Sequence, residues 1–203
     1  MAGLAIRHLA TLTIGLVAVA PIAWIALTSF KEPNKVMSWP PALIPESFTF
    51  DNYIKLFDTV PVGRFFLNSV ILAALNVAFN LTFCTMAGYT LARRRFRGRK
   101  TLLMLVVAGL MIPVYVRLLP QLQLIKALHL SNTYLGLILP TAATAFGIFL
   151  MRQFFLGTVP LEVEESAKLD GCGDWGVLLR IVVPLAKPQM VTLTLLAITW
   201  SLE

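Results

Sequence analysis

The sequence predicts an all-α integral membrane protein, and three observations carry that prediction. Of the 203 residues, 58% are hydrophobic and only 13% charged, with a mean hydropathy of +0.79. Soluble domains carry about 25% charged residues, and at half that share too few polar side chains exist to cover a water-facing surface. Five stretches contain no Asp, Glu, Lys, Arg or His: Leu9 to Phe30, Phe65 to Ala92, Thr101 to Val116, Leu130 to Met151 and Pro188 to Leu202. The densest run of positive charge, RRRFRGRK from Arg93 to Lys100, lies directly between two of them.

A helix rising 1.5 Å per residue needs about 20 residues to cross a hydrocarbon core of ~30 Å. The first, second and fourth stretches are long enough alone. The third becomes so when Leu118, Leu119 and the residues that follow extend it, and the fifth runs to the end of the chain. One transmembrane domain over 1–203 is expected, with spans of about 9–30, 66–92, 101–121 and 131–151 and an incomplete one at 188–203. Ala18-Val19-Ala20 resembles a signal-peptide cleavage site, but the run is 22 residues long from Leu9 to Phe30 against 7–15 for a signal core, and Pro21 follows directly. A retained anchor is the preferred reading.

Charge sets the threading. The Arg93–Lys100 run holds six of the 17 Lys and Arg residues. With a span on either side it reads as a cytoplasmic anchor rather than a nucleic-acid patch. The N-terminus with Arg7 and His8 is then cytoplasmic, Lys31 to Arg64 external, and Arg152 to Lys187 cytoplasmic. The external stretch is broken by Pro33, Pro40, Pro41, Pro45 and Pro61, and Asp51 is expected to N-cap one short helix there.

Within the spans, Asn68, Asn76 and Asn80 fall within about 120° of one another on a helical wheel. Amides facing lipid are costly, so this side faces other helices or a wet cavity. Interhelical hydrogen bonding is the preferred reading; solute contact by Asn76 and Asn80 is the other. Arg117, near a span end, either snorkels to the headgroups or faces the pathway of a polar solute. Pro113, Pro120 and Pro140 predict kinks, which membrane helices of any function carry. Cys84 and Cys172 are far apart in sequence with no metal-ligand spacing, and His8 and His129 are lone residues near span ends. No metal site, disulfide framework or catalytic set is expected.

The most specific segment is VPLEVEESAKLDGCGDWGVLLRIVVPLAKP, from Val159 to Pro188. Pro160 suits a first helical turn, and Glu162, Glu164 and Glu165 lie near a helix N-terminus that favours carboxylates. Gly171 and Gly173 stop that helix, and Asp174 is expected to cap a second one from Trp175. The acids also admit a plain solvated surface, with Glu164 and Lys168 or Glu165 and Lys168 as weak local pairs. The product is a polar elbow with a span on each side.

This elbow resembles the signature loop, often called the EAA loop, of binding-protein-dependent ABC importer permeases. Glu165, Ala167, Asp170, Gly171, Ile181, Pro184, Leu185 and Pro188 match its pattern at fixed offsets, and Ser166 stands where the first alanine belongs. Ser29-Phe30-Lys31, Phe50-Asp51-Asn52-Tyr53, Asn68-Ser69, Ala87-Gly88-Tyr89, Asn132 to Gly136 and Phe149 to Arg152 follow the order of the sugar-importing branch. Within it the chain is most similar to the second permease subunit of maltose-type and glycerol-phosphate-type systems.

The resemblance implies a type I ABC importer permease bundle in the bacterial inner membrane. About five transmembrane helices are present and a sixth, beyond Thr199-Trp200-Ser201, is missing from this chain, so the chain alone is not expected to transport. It further implies coupling to an ATPase dimer through Glu165, Ser166, Ala167, Asp170 and Gly171, supported by Ile181, Pro184, Leu185 and Pro188. A companion permease would form a heterodimer with it, and an extracytoplasmic solute-binding protein would deliver a sugar or polyol. No cofactor is expected on this chain, since no GxxxxGK[ST] loop is present; ATP and magnesium belong to the partner ATPase. Membrane lipid is an expected partner and nucleic acid is not. A permease for peptides or polyamines, or a membrane adaptor that does not transport, would share the elbow.

Overall fold

The computed structural model describes residues 2–39, 42 and 44–202. Pro40, Pro41 and Glu203 lie outside the described residues, so the expectations that touch them are not taken further. The chain divides into two compact units, Met1–Phe66 and Leu67–Glu203.

In the first unit, helix α1 (Ala2–Ser29) carries Pro21 in its interior. Leu9, Leu12, Ile14, Leu16, Ile22 and Ile25 are all exposed, which in water would be untenable and in lipid is the ordinary state of a span. The end of α1 is tied down by the segment that follows it. Asn52 Nδ2 donates to the carbonyls of Ser29 at 2.9 Å and Lys31 at 2.7 Å, and the Ser29 and Tyr53 hydroxyls are 2.7 Å apart. Phe30 packs on Phe50 and Tyr53 with ring centroids 5.5 Å from each. Asn52 thus satisfies helix-end carbonyls that have no partner within the helix. Helix α2 (Asp51–Thr59) begins differently from expectation: Phe50 is the capping position, Asp51 is already helical, and the Asp51 N–H donates to Thr49 Oγ1 at 3.1 Å. Asp51 still acts on the helix dipole through its charge.

Helix α3 (Val62–Arg93) is the long span of the second unit. Its buried positions Asn76, Asn80, Cys84, Thr85, Gly88, Tyr89, Leu91 and Ala92 recur mostly at three and four residues, which places them along one side of the helix. That side packs against α7 (Ala145–Gly157) through small residues. A Cβ at Gly88 would lie 2.8 Å from Met151 Cβ and 2.9 Å from the Arg152 backbone nitrogen, and one at Gly147 would lie 2.7 Å from Cys84 Sγ. Where both neighbours are apolar, close approach of backbones supplies the packing that water exclusion cannot.

The third expected span is two helices, α4 (Arg99–Met111) and α5 (Val114–Ala127), bent by 110° at their junction. Pro113 is the cause: it forces Ile112 into extended backbone at φ −82°, ψ 117°. Pro120, equally expected to kink, sits inside α5. The fourth span is a short helix α6 (Tyr134–Ile138) with a 3-10 turn through Pro140, followed by α7 at 45°. Thr144 caps α7, its hydroxyl accepting from the Gly147 N–H at 3.1 Å. The last span, α10 (Lys187–Leu202), meets the preceding helical segment at 77°. Among the described residues, two helices are long and apolar enough to cross a membrane, and up to five spans result when each bent pair is counted as one.

The main core lies where α3 and α7 meet the elbow. Cys84, Met151, Phe155, Val177, Val182, Ala186 and Leu193 are fully buried there. Placing a methyl on Gly88 forces α7 outward, and Gly88→Ala is expected to cost about 1–3 kcal/mol, typical of overpacking. Gly15 has nothing within 4 Å of its added Cβ, so Gly15→Ala is expected to be neutral or stabilising by up to ~1 kcal/mol. Thermal unfolding of the two variants in mild detergent, followed by tryptophan fluorescence, checks the contrast.

Candidate coupling elbow

The elbow is built from helix α8 (Leu161–Leu169) and the short helix α9 (Asp174–Val177). Pro160 occupies the capping position of α8 with extended backbone, which suits a residue that has no N–H to offer. The stop at the other end is a Schellman turn. Cys172 N–H donates to the Ala167 carbonyl and Gly171 N–H to the Lys168 carbonyl, both at 3.0 Å, while Gly171 sits at φ +84°. That left-handed backbone favours glycine and absorbs two carbonyls that the helix leaves unpaired. Gly173, not Asp174, holds the capping position of α9, and no side chain caps it. Asp174 is already helical and its carboxylate is engaged elsewhere.

Two consecutive arginines at the end of α3 grip the two helices of the elbow. Arg93 Nε donates to Glu164 Oε1 at 2.7 Å, and Tyr89 Oη donates to Glu164 Oε2 at 2.9 Å. Arg93 also donates to the Val159 carbonyl, and the Tyr89 ring stands edge-on to Phe155 at 5.8 Å. The Glu164 side chain is 3% exposed and that of Arg93 11%. Glu164 belongs to α8, so this cluster fastens that helix to α3 from within. Arg94 Nη2 meets Asp174 Oδ1 at 2.6 Å, with Lys168 Nζ 3.6 Å from the same oxygen, and this fastens α9. The hydrogen bond from Arg94, then the charges of Arg94 and Lys168, hold the Asp174 carboxyl below its ordinary value of 3.8. A depressed carboxylate stabilises its pair above the ordinary value and releases it as pH falls through the lower folded one.

Glu164 therefore departs from the sequence reading, which placed it with Glu162 and Glu165 on one acidic surface. It lies three residues before the buried Ala167, on the stripe that α8 turns inward. That spacing was the available signal, together with Tyr89 and Arg93 at four-residue spacing on α3.

The other expected residues divide by exposure. Glu165, Ser166, Asp170 and Gly171 are exposed, whereas Ala167 is buried. The Ser166 hydroxyl donates back to the Glu162 carbonyl at 2.8 Å, so it adds no unsatisfied polar group to the surface. Leu169 is 90% exposed, one helical turn beyond Glu165, and Trp175 and Leu179 are exposed nearby in sequence. Ile181 is partly buried against the core, and Pro184, Leu185 and Pro188 are exposed. Pro184 follows a widened π-turn at Leu178–Val182, which is one way a helix accommodates a proline ring against its preceding turn.

Asn80, a candidate pathway residue, donates to the Thr141 carbonyl at 2.8 Å and is 1% exposed. That carbonyl lies at the break before α7, where the helical ladder is interrupted. Asn68 accepts from Tyr134 Oη at 2.8 Å. Among the described residues, Asn76 is buried with its Oδ1 unpartnered, and Arg117 lies on α5 with its Nε buried and likewise unpartnered. No hydrogen bond among the described residues links Arg117 to either asparagine. Among the described residues, no group of three or more His, Cys, Asp and Glu side chains could hold a metal ion.

Residues 84–203 match the family described as binding-protein-dependent transport system inner membrane component. The chain is 33% identical over 188 residues to the diacetylchitobiose uptake system permease protein NgcG of Streptomyces coelicolor, covering 92% of this chain and 62% of that one. It is 36% identical over 186 residues to the arabinooligosaccharides transport system permease protein AraQ of Halalkalibacterium halodurans, covering 90% and 66%. The chain thus spans a little under two thirds of the length of these relatives. A crystal structure of a bacterial ABC transporter involved in the import of the acidic polysaccharide alginate superposes with a TM-score of 0.84 at 24% identity, over 97% of this chain and 69% of that one. At that identity the likeness speaks for the fold.

Replacing Glu164 by Ala strands a buried guanidinium, a change that typically costs about 3–5 kcal/mol. Hydrogen exchange should accelerate across α8 in this variant while α1 stays unchanged. Arg94→Ala, which frees a more exposed carboxylate, should loosen α9 alone.

Proposed function

The chain belongs to the binding-protein-dependent transport system inner membrane component family, and from that membership we propose that it is a permease subunit of an ATP-driven importer for a sugar or related polyol. On this reading it works in the bacterial inner membrane with N-terminus and elbow in the cytoplasm. A companion permease completes the pathway, an extracytoplasmic solute-binding protein delivers the solute, and an ATPase dimer holds ATP and magnesium.

The observation that carries the reading is the two-sided character of the elbow. Its base is bolted to α3 through Arg93, Arg94 and Tyr89, while its tip offers a carboxylate at Glu165 and an almost fully exposed Leu169. An exposed apolar knob beside an acid suits a cleft with a basic rim on a partner. Closure of two ATPase subunits would push the tip, and the latches would pass the displacement to α3 as a rigid lever, giving alternating access by rigid-body motion. The relatives' printed names, an uptake system for diacetylchitobiose and one for arabinooligosaccharides, support a carbohydrate as the solute class.

In the assembled importer in vesicles, Glu165→Ala combined with Leu169→Ala is expected to lower solute-stimulated ATP hydrolysis about tenfold, equivalent to ~1.4 kcal/mol of docking energy. Neither side chain packs into the core, so helix content should stay constant; undiminished coupling in this double variant would sink the docking reading. Threading has its own test. Cys172 is partly exposed and Cys84 buried, so a membrane-impermeant maleimide should leave intact cells unlabelled and modify Cys172 once they are opened.

A further inference from the structure

Arg93 and Arg94 account for only part of the basic segment. Arg99 spends Nε on the Leu91 carbonyl at 2.9 Å and Nη2 on the Ala92 carbonyl at 3.1 Å, closing the end of α3. Arg95, Lys100 and Arg152 have no ion-pair or side-chain hydrogen-bond partner among the described residues. Arg152 is the most anomalous of these, because its Nε is buried without a partner on a helix that otherwise packs into the core. All four bases line one open pocket of about 610 Å³, together with Phe96 and Thr101, and no acid lines it. Glu164 and Asp174, the acids of the elbow, are already held by Arg93 and Arg94.

A second hollow adjoins it. A groove of about 670 Å³ between α3, α4 and α7 is lined by apolar side chains, including Phe83, Met86, Leu102, Leu105 and Ile148. Phe96 lines both hollows, and along α4 the residues alternate between them, Thr101 and Leu103 facing the bases and Leu102 and Leu105 the groove. A pocket of uncompensated cations that continues into an apolar channel matches an amphiphile with a negative head and a hydrocarbon tail. Four clustered bases without a counter-anion repel one another, and an anion relieves that repulsion.

We propose that this paired hollow is a binding site for an anionic phospholipid, its phosphate held by Arg95, Arg99, Lys100 and Arg152 and one acyl chain lying in the groove between α3, α4 and α7. The guanidinium of Arg152 and the remaining Nη of Arg99 give the phosphate charge-assisted hydrogen bonds, and Lys100 contributes a point charge at the rim. Basic pockets between membrane helices are suited to such headgroups. The site rests on membrane embedding alone and not on coupling or solute class.

Native mass spectrometry tests this on the full-length protein with its copurifying partners, delipidated and then offered equal phosphatidylglycerol and phosphatidylcholine. Phosphatidylglycerol should be retained to higher collision energy. Lys100→Ala and Arg152→Ala should each cut that preference about fivefold, as expected for one base beside an anionic headgroup. Arg152→Lys should recover part of it. Ala143→Trp, which fills the groove, should reduce retention without changing charge, and millimolar inorganic phosphate should fail to displace the lipid. Lys100 is exposed and unpaired, so its replacement reads the site without threatening the fold. Equal retention of both lipids, or unaltered preference in the charge variants, overturns the proposal. Displacement by inorganic phosphate with no effect of Ala143→Trp also overturns it, since the site would then be a bare phosphate pocket. None of these readouts involves ATP or solute, so they fail or succeed independently of the importer reading.

Discussion

The buried pair between Arg93 and Glu164 is the constraint on which the elbow depends. Taking two charges out of water costs several kcal/mol each, and their attraction repays this only when the remaining hydrogen-bonding capacity is met. Here it is met on both sides, by Tyr89 on the second carboxylate oxygen and by the Val159 carbonyl on the guanidinium. The energetic gain over an apolar pair is modest in general; the geometric consequence is not. Because Glu164 can reach its partners only when one face of α8 turns inward, the opposite face with Glu165 and Leu169 must point away from the core.

The same accounting of unpaired groups explains the broken helices. A helix that stops within a membrane leaves carbonyls and N–H groups without water to receive them. At the break before α7 these are met from two sides, by the Asn80 amide on the Thr141 carbonyl and by the Thr144 hydroxyl on the Gly147 N–H. Asn80 reaches that carbonyl because glycines at 88 and 147 let α3 and α7 approach. Amide and small residues therefore form one device, in which Asn80 takes a structural part.

The basic segment divides its labour in a way that composition conceals. Arg93 and Arg94 hold the elbow, Arg99 closes the end of α3, and Arg95, Lys100 and Arg99 also line a pocket with Arg152 from a distant helix. A run that reads as a single electrostatic anchor serves three arrangements, distinguished by which element each side chain meets.

The all-helical class and the glycine stop within the elbow were legible in sequence because each depends on local chemistry. A 20-residue apolar run, a proline that forces the preceding residue out of helix, and a glycine at a left-handed turn act within a few residues of themselves. Gly171 stops α8 for that reason, and Pro113 breaks the third span. What sequence order could not decide was which of two neighbouring glutamates plays the special part. Glu164 is buried while Glu165 is exposed, because that outcome depends on a partner about 70 residues away, Arg93. Local propensity determined the helical class and the stops set by Pro113 and Gly171; only long-range packing decided which charges face inward, since burial of a charge is settled by the counter-charge that the fold brings to it.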